Sequence, residues 1–340
     1  MAATNSLTLS SATFAKLTPH PFLLANLQPA DASIPPARTN GRQPAQARPY
    51  SVNTSSLAHA HGSAVVRSGD TTVICGVRGE TLLTSQIPNF RAAAAGESAS
   101  GGGGGGDDEL RDYDLLVPNV ELATGCAPNF LPGVPPTTLA QTLSTRLYSL
   151  LHSSKLLDTA DLRIYHDMSG EMEMEGEDAE AGEAVKDVKA YWVLYIDILF
   201  VSFDGNPFDV AWAAVLAALR DTKLPRAHWD VDQETVLCSR EEPSPLSIRG
   251  LPVACTAAVF TAKERQKKGA DQYWILVDPD RLEESLCDET VTMVVDSTGG
   301  ETKVLTMSKH GGTVVGPALM KRFATVAEAR WKEFCAVLQE

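Results

Sequence analysis

Residues 190–219 read AYWVLYIDILFVSFDGNPFDVAWAAVLAAL, and this stretch decides the fold. Ala190–Phe203 is apolar on both faces, which is typical of a central strand that is covered on both sides. Gly205-Asn206-Pro207 ends that strand, and Pro207 suits the first position of a helix. Apolar side chains then recur at helical spacing and predict a buried stripe. The stripe consists of Phe208, Ala211, Trp212, Val215, Leu216 and Leu219.

Segments on either side of this stretch predict the remaining elements. SAVVRS (63–68) and TTVICGV (71–77) are β-rich runs separated by Gly69-Asp70, which suits a hairpin with a type II′ turn. Leucines on one side of Thr137–Leu157 predict a helix. Together these elements indicate an α+β fold. Further predicted elements are strands at Val253–Phe260, Gln272–Asp278, Thr290–Asp296 and Lys303–Met307, with Gly299-Gly300 turning between the last two, and a helix over Ala318–Leu338.

Length and composition limit the class of protein. The chain has 340 residues and is 44% hydrophobic, which allows a real core and suggests two domains or one domain with insertions. Six well-separated cysteines without a C-x-x-C pair favour reduced, mostly buried thiols and disfavour a zinc ribbon. The longest apolar run, Tyr191–Phe203, is too short to cross a bilayer, so no transmembrane segment is expected.

Charge is concentrated in one part of the chain. The net charge of −14 argues against a protein that coats nucleic acid by bulk attraction. Eight acidic residues and no basic residue lie between Asp167 and Glu183. We expect a solvated, mobile insertion at 167–187, since like charges repel there and nothing apolar is available to bury. An acidic metal site is the alternative for this segment, but it needs rigid ligand geometry.

Two other segments are expected to lie outside the core. Residues 1–36 are rich in Ala, Ser, Thr and Pro and predict a flexible tail, with at most one short helix at Pro21–Leu27. A transit peptide is the alternative, although no arginine precedes Arg38. The six consecutive glycines within 91–112 predict a flexible insertion. A glycine loop that binds a nucleotide would need spaced glycines between a strand and a helix.

Several strings resemble one family, the RNase PH-like proteins. HGSAVVRSGDTTVICGVRGE (61–80) is similar to the opening hairpin of that family, and Arg38, Gly41 and Arg42 match its N-terminal entry motif. LVPNVEL (116–122) and residues 191–219 resemble its second block. DQYWILVDPDRLEESLCDETVTMVVDSTGG (271–300) and SKHGG (308–312) resemble its C-terminal strands. The DGN and VDP…EE strings are most like those of eukaryotic exosome ring subunits.

The resemblance implies a fold and a domain division. The expected fold is RNase PH-like, with two mixed or antiparallel sheets packed with helices, similar to domain 2 of ribosomal protein S5. Residues 37–250 would form the first part of the core, with insertions at 91–112 and 167–187. Residues 251–340 would form the second part.

The resemblance also bears on activity. Phosphorolytic members hold the attacking phosphate with a Gly-Thr-Arg motif after the second-block strand and with an arginine from a preceding helix, since an anion must be held in line with the scissile bond. Here that motif is replaced by Asp204–Asp209: Phe208 or a neighbour takes the arginine position, Pro207 removes an N–H, and Asp209 adds negative charge. We therefore expect a protein that is not an enzyme.

The carboxylates of the active family give a second comparison. Glu284 matches the first of the two carboxylates and Thr290 takes the place of the second, with Asp280, Glu283 and Asp288 close by. The only arginine of helix 137–157 is Arg146, which is the candidate for the phosphate role of the preceding helix. An active phosphate-dependent 3′–5′ exoribonuclease remains the alternative function, and a free-standing binding module for another ligand is a third hypothesis.

The function implied is that of a non-catalytic ring subunit of the RNA exosome. Its partners would be the other RNase PH-like subunits of a six-membered ring, S1/KH cap proteins, an associated hydrolytic ribonuclease, and RNA in the channel during RNA processing and degradation. The location implied is nucleus, nucleolus and cytoplasm. No cofactor or metal is expected, because His59-Ala-His61 lacks a third ligand. The candidate RNA-contact residues are Arg67, Arg78, Arg146 and Lys309.

Overall fold

The computed structural model describes residues 10–31, 33–88, 90, 105–167, 186–262, 273–287, 289–312 and 316–339. They belong to two compact units. The larger unit comprises Ser51–Phe203, Val210–Leu251 and Val337–Glu340, and the smaller unit comprises Met1–Tyr50, Asp204–Asp209 and Pro252–Ala336. No helix in the described ranges is long and apolar enough to cross a membrane.

This division differs from the predicted domains at one place. The boundary at Leu251/Pro252 adjoins the predicted division at residue 250. However, the entry segment 37–50 groups with the smaller unit and not with the first part of the core. The physical reason is that its arginines pair with acidic residues near the end of the chain, as described below.

A six-stranded mixed sheet is the centre of the larger unit. Its strands are β1 (Tyr50–Thr54), β2 (Gly62–Ser68), β3 (Thr71–Leu83), β4 (Leu116–Leu122), β5 (Arg163–Asp167) and β6 (Lys186–Ser202). The order is β1-β2-β3-β6-β4, and β5 also pairs with β6. The predicted hairpin is confirmed, because β2 and β3 pair antiparallel with Val65 opposite Ile74. Gly69 has φ +59°, as a type II′ turn requires.

Strand β6 is central, as predicted, but only half of it is covered on both faces. Every residue of Ala190–Leu194 is at most 7% exposed. Beyond this segment burial alternates: Ile196, Ile198 and Phe200 are buried, whereas Val201 is 48% exposed. The expectation of two covered faces is therefore wrong for the second half of the strand, because side chains alternate between the two faces of a sheet and only one face is covered there.

Helices and a hairpin complete the larger unit. The helices are α3 (Gly105–Asp112), α4 (Thr138–Ser153) and α5 (Pro207–Asp221), with short 3-10 turns at Thr84–Gln86 and Thr159–Leu162, and the hairpin strands are β7 (Lys223–Asp230) and β8 (Thr235–Pro245). The predicted helices α4 and α5 are confirmed, whereas β7 and β8 were not predicted. Helix α5 is buried from Pro207 through Leu219, so it packs on every side and not along one stripe.

A four-stranded antiparallel sheet is the centre of the smaller unit. Its elements are β9 (Val253–Thr261), β10 (Tyr273–Val277), β11 (Glu289–Asp296), β12 (Lys303–His310), α6 (Arg281–Leu286) and α7 (Pro317–Gln339). The strand order is β10-β9-β11-β12, which confirms the four predicted strands. Helix α7 packs on one face, where Phe323 and Ala327 join a core with Val291, Met293 and Val295.

The N-terminal segment differs from the flexible tail that the sequence predicts. Residues Ser11–Leu17 form α1 and Pro19–Leu27 form α2. Leu23 and Leu27 are at most 1% exposed and pack with Phe260 and Leu276. The short helix expected at Pro21–Leu27 is therefore confirmed and begins two residues earlier. The flexibility expected of the tail is wrong for this helix, because two leucines one turn apart find an apolar surface that the sequence did not reveal.

The predicted insertions lie partly outside the described residues. Residues 91–104 and 168–185 are not described, so the expectations for the glycine run and the acidic run lie largely outside the structure. Residues Gly105–Asp112, which the sequence placed in the flexible insertion, form α3. Glu109 in that helix pairs with Arg163 of β5 at 2.8 Å, which ties the helix to the sheet. The six cysteines are free thiols, of which Cys75, Cys126 and Cys255 are buried and Cys238 is exposed, so the expected burial holds for half of them.

Candidate functional site

A cluster of buried charges in the smaller unit is centred on Asp278. This residue follows β10, has φ +53°, and is 2% exposed. Arg48 donates from Nε to Asp278 Oδ2 and from Nη2 to Oδ1, each at 2.8 Å, so the guanidinium meets the carboxylate side on. The backbone N–H of Arg48 donates to the same Oδ2 at 2.8 Å. Asp278 is therefore held as an ionised carboxylate in the interior.

The loop that precedes α5 packs against this carboxylate. Asn206 donates from Nδ2 to Asp278 Oδ1 at 2.8 Å, and Arg48 Nη1 donates to the carbonyl of Asp204 at 2.8 Å. Gly205 has φ +79°, and a Cβ built there would lie 2.6 Å from the backbone nitrogen of Arg281. Only glycine fits at this position, because both the conformation and the space exclude a side chain.

Two arginines of the entry segment join the cluster from the other side. Arg38 and Glu283 are fully buried, with Arg38 Nη1 donating to Glu283 Oε2 at 3.2 Å. Arg42 donates to the carbonyl of Asp278 at 3.0 Å and lies 3.3 Å from its Oδ2. Asp280 caps α6, and Glu283 returns a bond to the Asp280 backbone N–H at 3.0 Å. The motif arginines thus tie residues 38–48 to residues 278–283.

Asp209 occupies a different place from the one expected. The sequence predicts that Asp209 adds negative charge where a phosphate would sit. Instead it is 4% exposed and accepts hydrogen bonds from Thr256 N at 2.7 Å, from Thr256 Oγ1 at 2.6 Å and from Asn206 Nδ2 at 2.9 Å. Its carboxylate therefore ties the segment Asp204–Asp209 to β9 within the smaller unit. The sequence did not show that this side chain turns inward, because Thr256 is 47 positions away along the chain.

The titrating groups of the cluster divide into two kinds. Burial opposes ionisation of Asp278, but the bonds from Arg48 outweigh it and lower its pKa to about 2. Burial raises the pKa of Glu284 to about 7, although its Oε1 accepts from the Asn206 backbone N–H at 2.7 Å. Burial also raises the pKa of Asp209 and lowers that of Arg38 to about 10. Asp278, which is paired with Arg48, is therefore stabilised in its ionised form, whereas burial disfavours the ionised forms of Glu284 and Asp209.

The charge balance of the cluster is unfavourable for an anion. Three arginines, at 38, 42 and 48, meet six carboxyl groups: Asp204, Asp209, Asp278, Asp280, Glu283 and Glu284. Each of the three guanidinium groups contacts at least one of these carboxylates. A bound phosphate needs cations that are not already neutralised, and this excess of carboxyl groups would repel it.

The predicted catalytic carboxylates also have structural partners. Glu284 holds the backbone of the loop before α5, as described above. Thr290 lies in β11 opposite Ala258 of β9 and His310 of β12. Asp288 lies outside the described residues. Within the described ranges, no group of three His, Cys, Asp or Glu side chains is placed to hold a metal ion.

Arg67 and Arg78, two of the predicted RNA-contact residues, lie in the hairpin of the larger unit. The Arg67 side chain is 64% exposed, and its Nη2 lies 4.0 Å from Asp70. The Arg78 side chain is 59% exposed, pairs with Glu80 at 3.2 Å and lies over the ring of Tyr195. Both arginines are accessible, and each has an acidic neighbour.

The other two predicted RNA-contact residues lie in different elements. Arg146 is half-buried on α4 of the larger unit. Lys309 lies on β12 of the smaller unit, where its Nζ donates to the carbonyl of Gly311 at 3.0 Å and lies 3.8 Å from Glu289. RNA contact by all four residues stays a prediction.

One buried cation was missed by the sequence analysis. Arg330 lies on the apolar side of α7, is 5% exposed, and stacks 3.8 Å from the ring centre of Tyr50. It also pairs with Glu333 at 3.0 Å. Its position one turn from Ala327 and Phe334 was the available signal, because a helical stripe predicts that position to be buried. The partner, which is 280 residues away along the chain, could not be read from the pattern.

The predicted histidine pair has a simpler role. His61 Nδ1 accepts a hydrogen bond from the backbone N–H of Gly79 at 3.0 Å, next to β3. Burial lowers the pKa of His61. This hydrogen bond fastens His61 to the β3 backbone and occupies its Nδ1. It therefore favours a structural role for His61 over a role as a metal ligand.

Comparisons with known proteins identify relatives along almost the whole chain. The model of the 3′ exoribonuclease family matches with its domain 1 at residues 46–225 and with its domain 2 at residues 250–330. The exosome complex component rrp43 of Schizosaccharomyces pombe is 30% identical over 96% of this chain and 97% of its own length. The exosome complex component Rrp42 of Archaeoglobus fulgidus is 26% identical over 85% of this chain and 86% of its own length.

Solved structures support the fold. A chain of the Archaeoglobus fulgidus exosome with RNA bound to the active site has a TM-score of 0.61 and 23% identity, covering 93% of this chain and 96% of its own. Rice (Oryza sativa) Rrp46 has a TM-score of 0.51 and 17% identity, covering 89% of this chain and 98% of its own. At these identities the match shows the fold.

Proposed function

This chain belongs to the RNase PH family of 3′ exoribonucleases, and from that membership we propose that it is a ring subunit of an exosome, of the Rrp43 type, without phosphorolytic activity of its own. The family resemblance predicted from the sequence is confirmed. The role is proposed because the relatives described above are exosome components, and the match to rrp43 covers almost all of both chains. Its partners in the ring are other RNase PH-like subunits.

The observation that carries the proposed lack of activity is the state of the segment Asp204–Asp209. By the family resemblance, this segment occupies the position of the Gly-Thr-Arg motif that holds phosphate in phosphorolytic members. Its Asp209 bonds inward to Thr256, and Asn206 bonds inward to Asp278. The nearest arginine, Arg48, is neutralised by Asp278. A phosphate nucleophile needs N–H donors and unpaired cations at this position, and these contacts use the available groups for packing.

The test is phosphate-dependent cleavage. The full chain, alone and assembled with its ring partners, is incubated with a 3′-tailed RNA with and without orthophosphate, beside an active RNase PH-family enzyme as a positive control. We expect the active enzyme to release nucleoside diphosphates and the chain alone to release none. Phosphate-dependent release of diphosphates by the isolated chain would refute the proposal and favour the exoribonuclease alternative.

The remaining parts of the role are proposed from the family alone. The ring would bind S1/KH cap proteins and a hydrolytic ribonuclease and would guide RNA through its channel during RNA processing and turnover. Arg67, Arg78, Arg146 and Lys309 would contact the RNA backbone without reading sequence. Single changes of these residues to glutamine should lower RNA crosslinking to this subunit in the assembled complex, whereas unchanged crosslinking would exclude the residue. Tagged chain is expected in nucleus, nucleolus and cytoplasm.

A further inference from the structure

Strand β12 exposes an unusual cluster of apolar side chains. Val304 is 51% exposed, Leu305 is 42% exposed and Met307 is 57% exposed. Twelve large apolar side chains are exposed in the described ranges, and three of them lie in this one strand of eight residues. Scattered exposed apolar residues are ordinary, but a contiguous group marks a surface that another molecule covers.

The apolar layer beneath α7 continues onto β12 without a cover. Met307 lies opposite Met293, and Val304 lies opposite Val295. Cross-strand partners share a face of the sheet, so all four side chains lie on the same side. Met293 is 3% exposed and Val295 is 0% exposed, in contrast to their partners on β12. Burial therefore stops abruptly between β11 and β12.

The outer edge of β12 is also open for backbone pairing. It is the last strand in the order β10-β9-β11-β12, and none of the described strands pairs with its outer side. Every second residue of such an edge points its N–H and C=O away from the sheet. Proteins commonly guard an edge with proline, with lysine or with a bulge. Strand β12 contains no proline, and its register with β11 shifts only between Val304 and Thr306, so Thr306–His310 is regular. Lys303 and Lys309 lie near the two ends of the strand, so neither shields its centre.

We propose that β12 pairs with a β-strand of a neighbouring RNase PH-like subunit, one that has apolar side chains at its centre and acidic residues at its ends. The basic residues at the two ends of β12 are the reason for expecting acidic residues in the partner strand. Lys303 begins the strand, and Lys309 and His310 end it. A second copy of this chain related by a two-fold axis would pair antiparallel and bring Lys303 close to Lys309, which like-charge repulsion disfavours. A strand with acidic ends meets the same lysines favourably.

This inference rests on the proposed ring role, and the experiment separates the two. The full chain is co-expressed with its RNase PH-like partners, and its recovery with a tagged neighbour is measured. The double variant Val304→Lys/Met307→Lys replaces two side chains that are already exposed with lysine, the residue that commonly guards an edge strand. Leu282→Lys, at a 45% exposed leucine of α6 in the same unit, is the matched control. The thermal unfolding midpoint of each isolated variant checks that it folds.

We expect recovery of the double variant to fall at least tenfold, with an unchanged unfolding midpoint, while Leu282→Lys is recovered like the wild type. Hydrogen exchange at the backbone amides of residues 303–310 should slow on assembly in the wild type. Normal recovery of the double variant, or unchanged exchange in the assembled wild type, would overturn the inference but leave the ring role intact. A dimer of the isolated chain that the double variant abolishes would also overturn it. Failure of the wild type itself to join the ring would refute the proposed function.

Discussion

Replacing Arg48 with methionine removes the main cation that faces Asp278 while keeping an apolar chain of similar length. The pKa of Asp278 falls from 3.8 to about 2 in the folded protein. At 1.36 kcal/mol for each pKa unit, this difference corresponds to about 2 kcal/mol of stability at neutral pH. The substitution also leaves the carbonyl of Asp204 without the 2.8 Å bond from Arg48, which costs about 1 kcal/mol. Because the bonds from Arg48 also offset the burial of Asp278, the net shift is a lower bound, and we expect the free energy of unfolding to fall by at least about 3 kcal/mol.

The pH dependence gives this prediction its sign. A carboxylate with a lowered pKa stabilises the fold above the unfolded-state value of 3.8, and that contribution is lost as the pH falls toward 2. The deficit of Arg48→Met should therefore be full at pH 7 and smaller at pH 3. Urea unfolding of both proteins at the two pH values measures it.

A matched control is available on the surface. Arg67→Met removes an exposed arginine 4.0 Å from Asp70, and such a pair contributes roughly 0–1 kcal/mol. The reasoning would be refuted if Arg48→Met destabilised the protein no more than Arg67→Met. It would also be refuted if the deficit were the same at pH 3 as at pH 7, because the Arg48–Asp278 charge pair would then not be its source.

Three further predictions test other parts of the cluster and the fold. Glu284→Gln keeps an acceptor for the Asn206 N–H but removes a carboxyl group whose pKa is raised from 4.5 to about 7. Ionising this carboxyl group destabilises the fold, and that cost is absent below pH 4.5 and is incurred as the pH rises through 7. In thermal melts the variant should match the wild type at pH 4.5 and be more stable at pH 8, by at most about 3 kcal/mol. Gly205→Ala puts a Cβ within 2.6 Å of backbone at positive φ and should lower the folded fraction in solubility and melting assays, whereas unchanged stability would show that the loop can shift. Leu23→Ala should destabilise the chain by about 2–4 kcal/mol in urea unfolding, whereas Leu17→Ala, at 65% exposure, should not; equal small effects would show that α2 does not pack on the sheet.

The buried cluster also shows what residues 204–209 do in the fold of this chain. The segment that carries the phosphate motif in active members still ends a central strand and begins a buried helix. Its polar groups now fasten that turn to β9 and to Asp278.

Local patterns in the sequence were sufficient for the main elements. The hairpin of β2 and β3, strand β6, helices α4, α5 and α7 and the four C-terminal strands follow from hydrophobic periodicity and turn residues, which act over a few positions. The family motifs also identified the entry arginines and the VDP string. The replacement of the phosphate motif at 204–209 was visible without any structure.

Tertiary structure alone decided how these pieces meet. Arg48 and Asp278 are separated by 230 positions, and Arg38 and Glu283 by 245, so no local pattern could pair them. The burial of Leu23 in α2 and the inward turn of Asp209 depend in the same way on surfaces supplied by distant strands. The bare edge of β12 is likewise a property of the assembled sheet. Periodicity reports which side of an element is apolar, whereas the partner of that side is set by packing between segments remote in the chain.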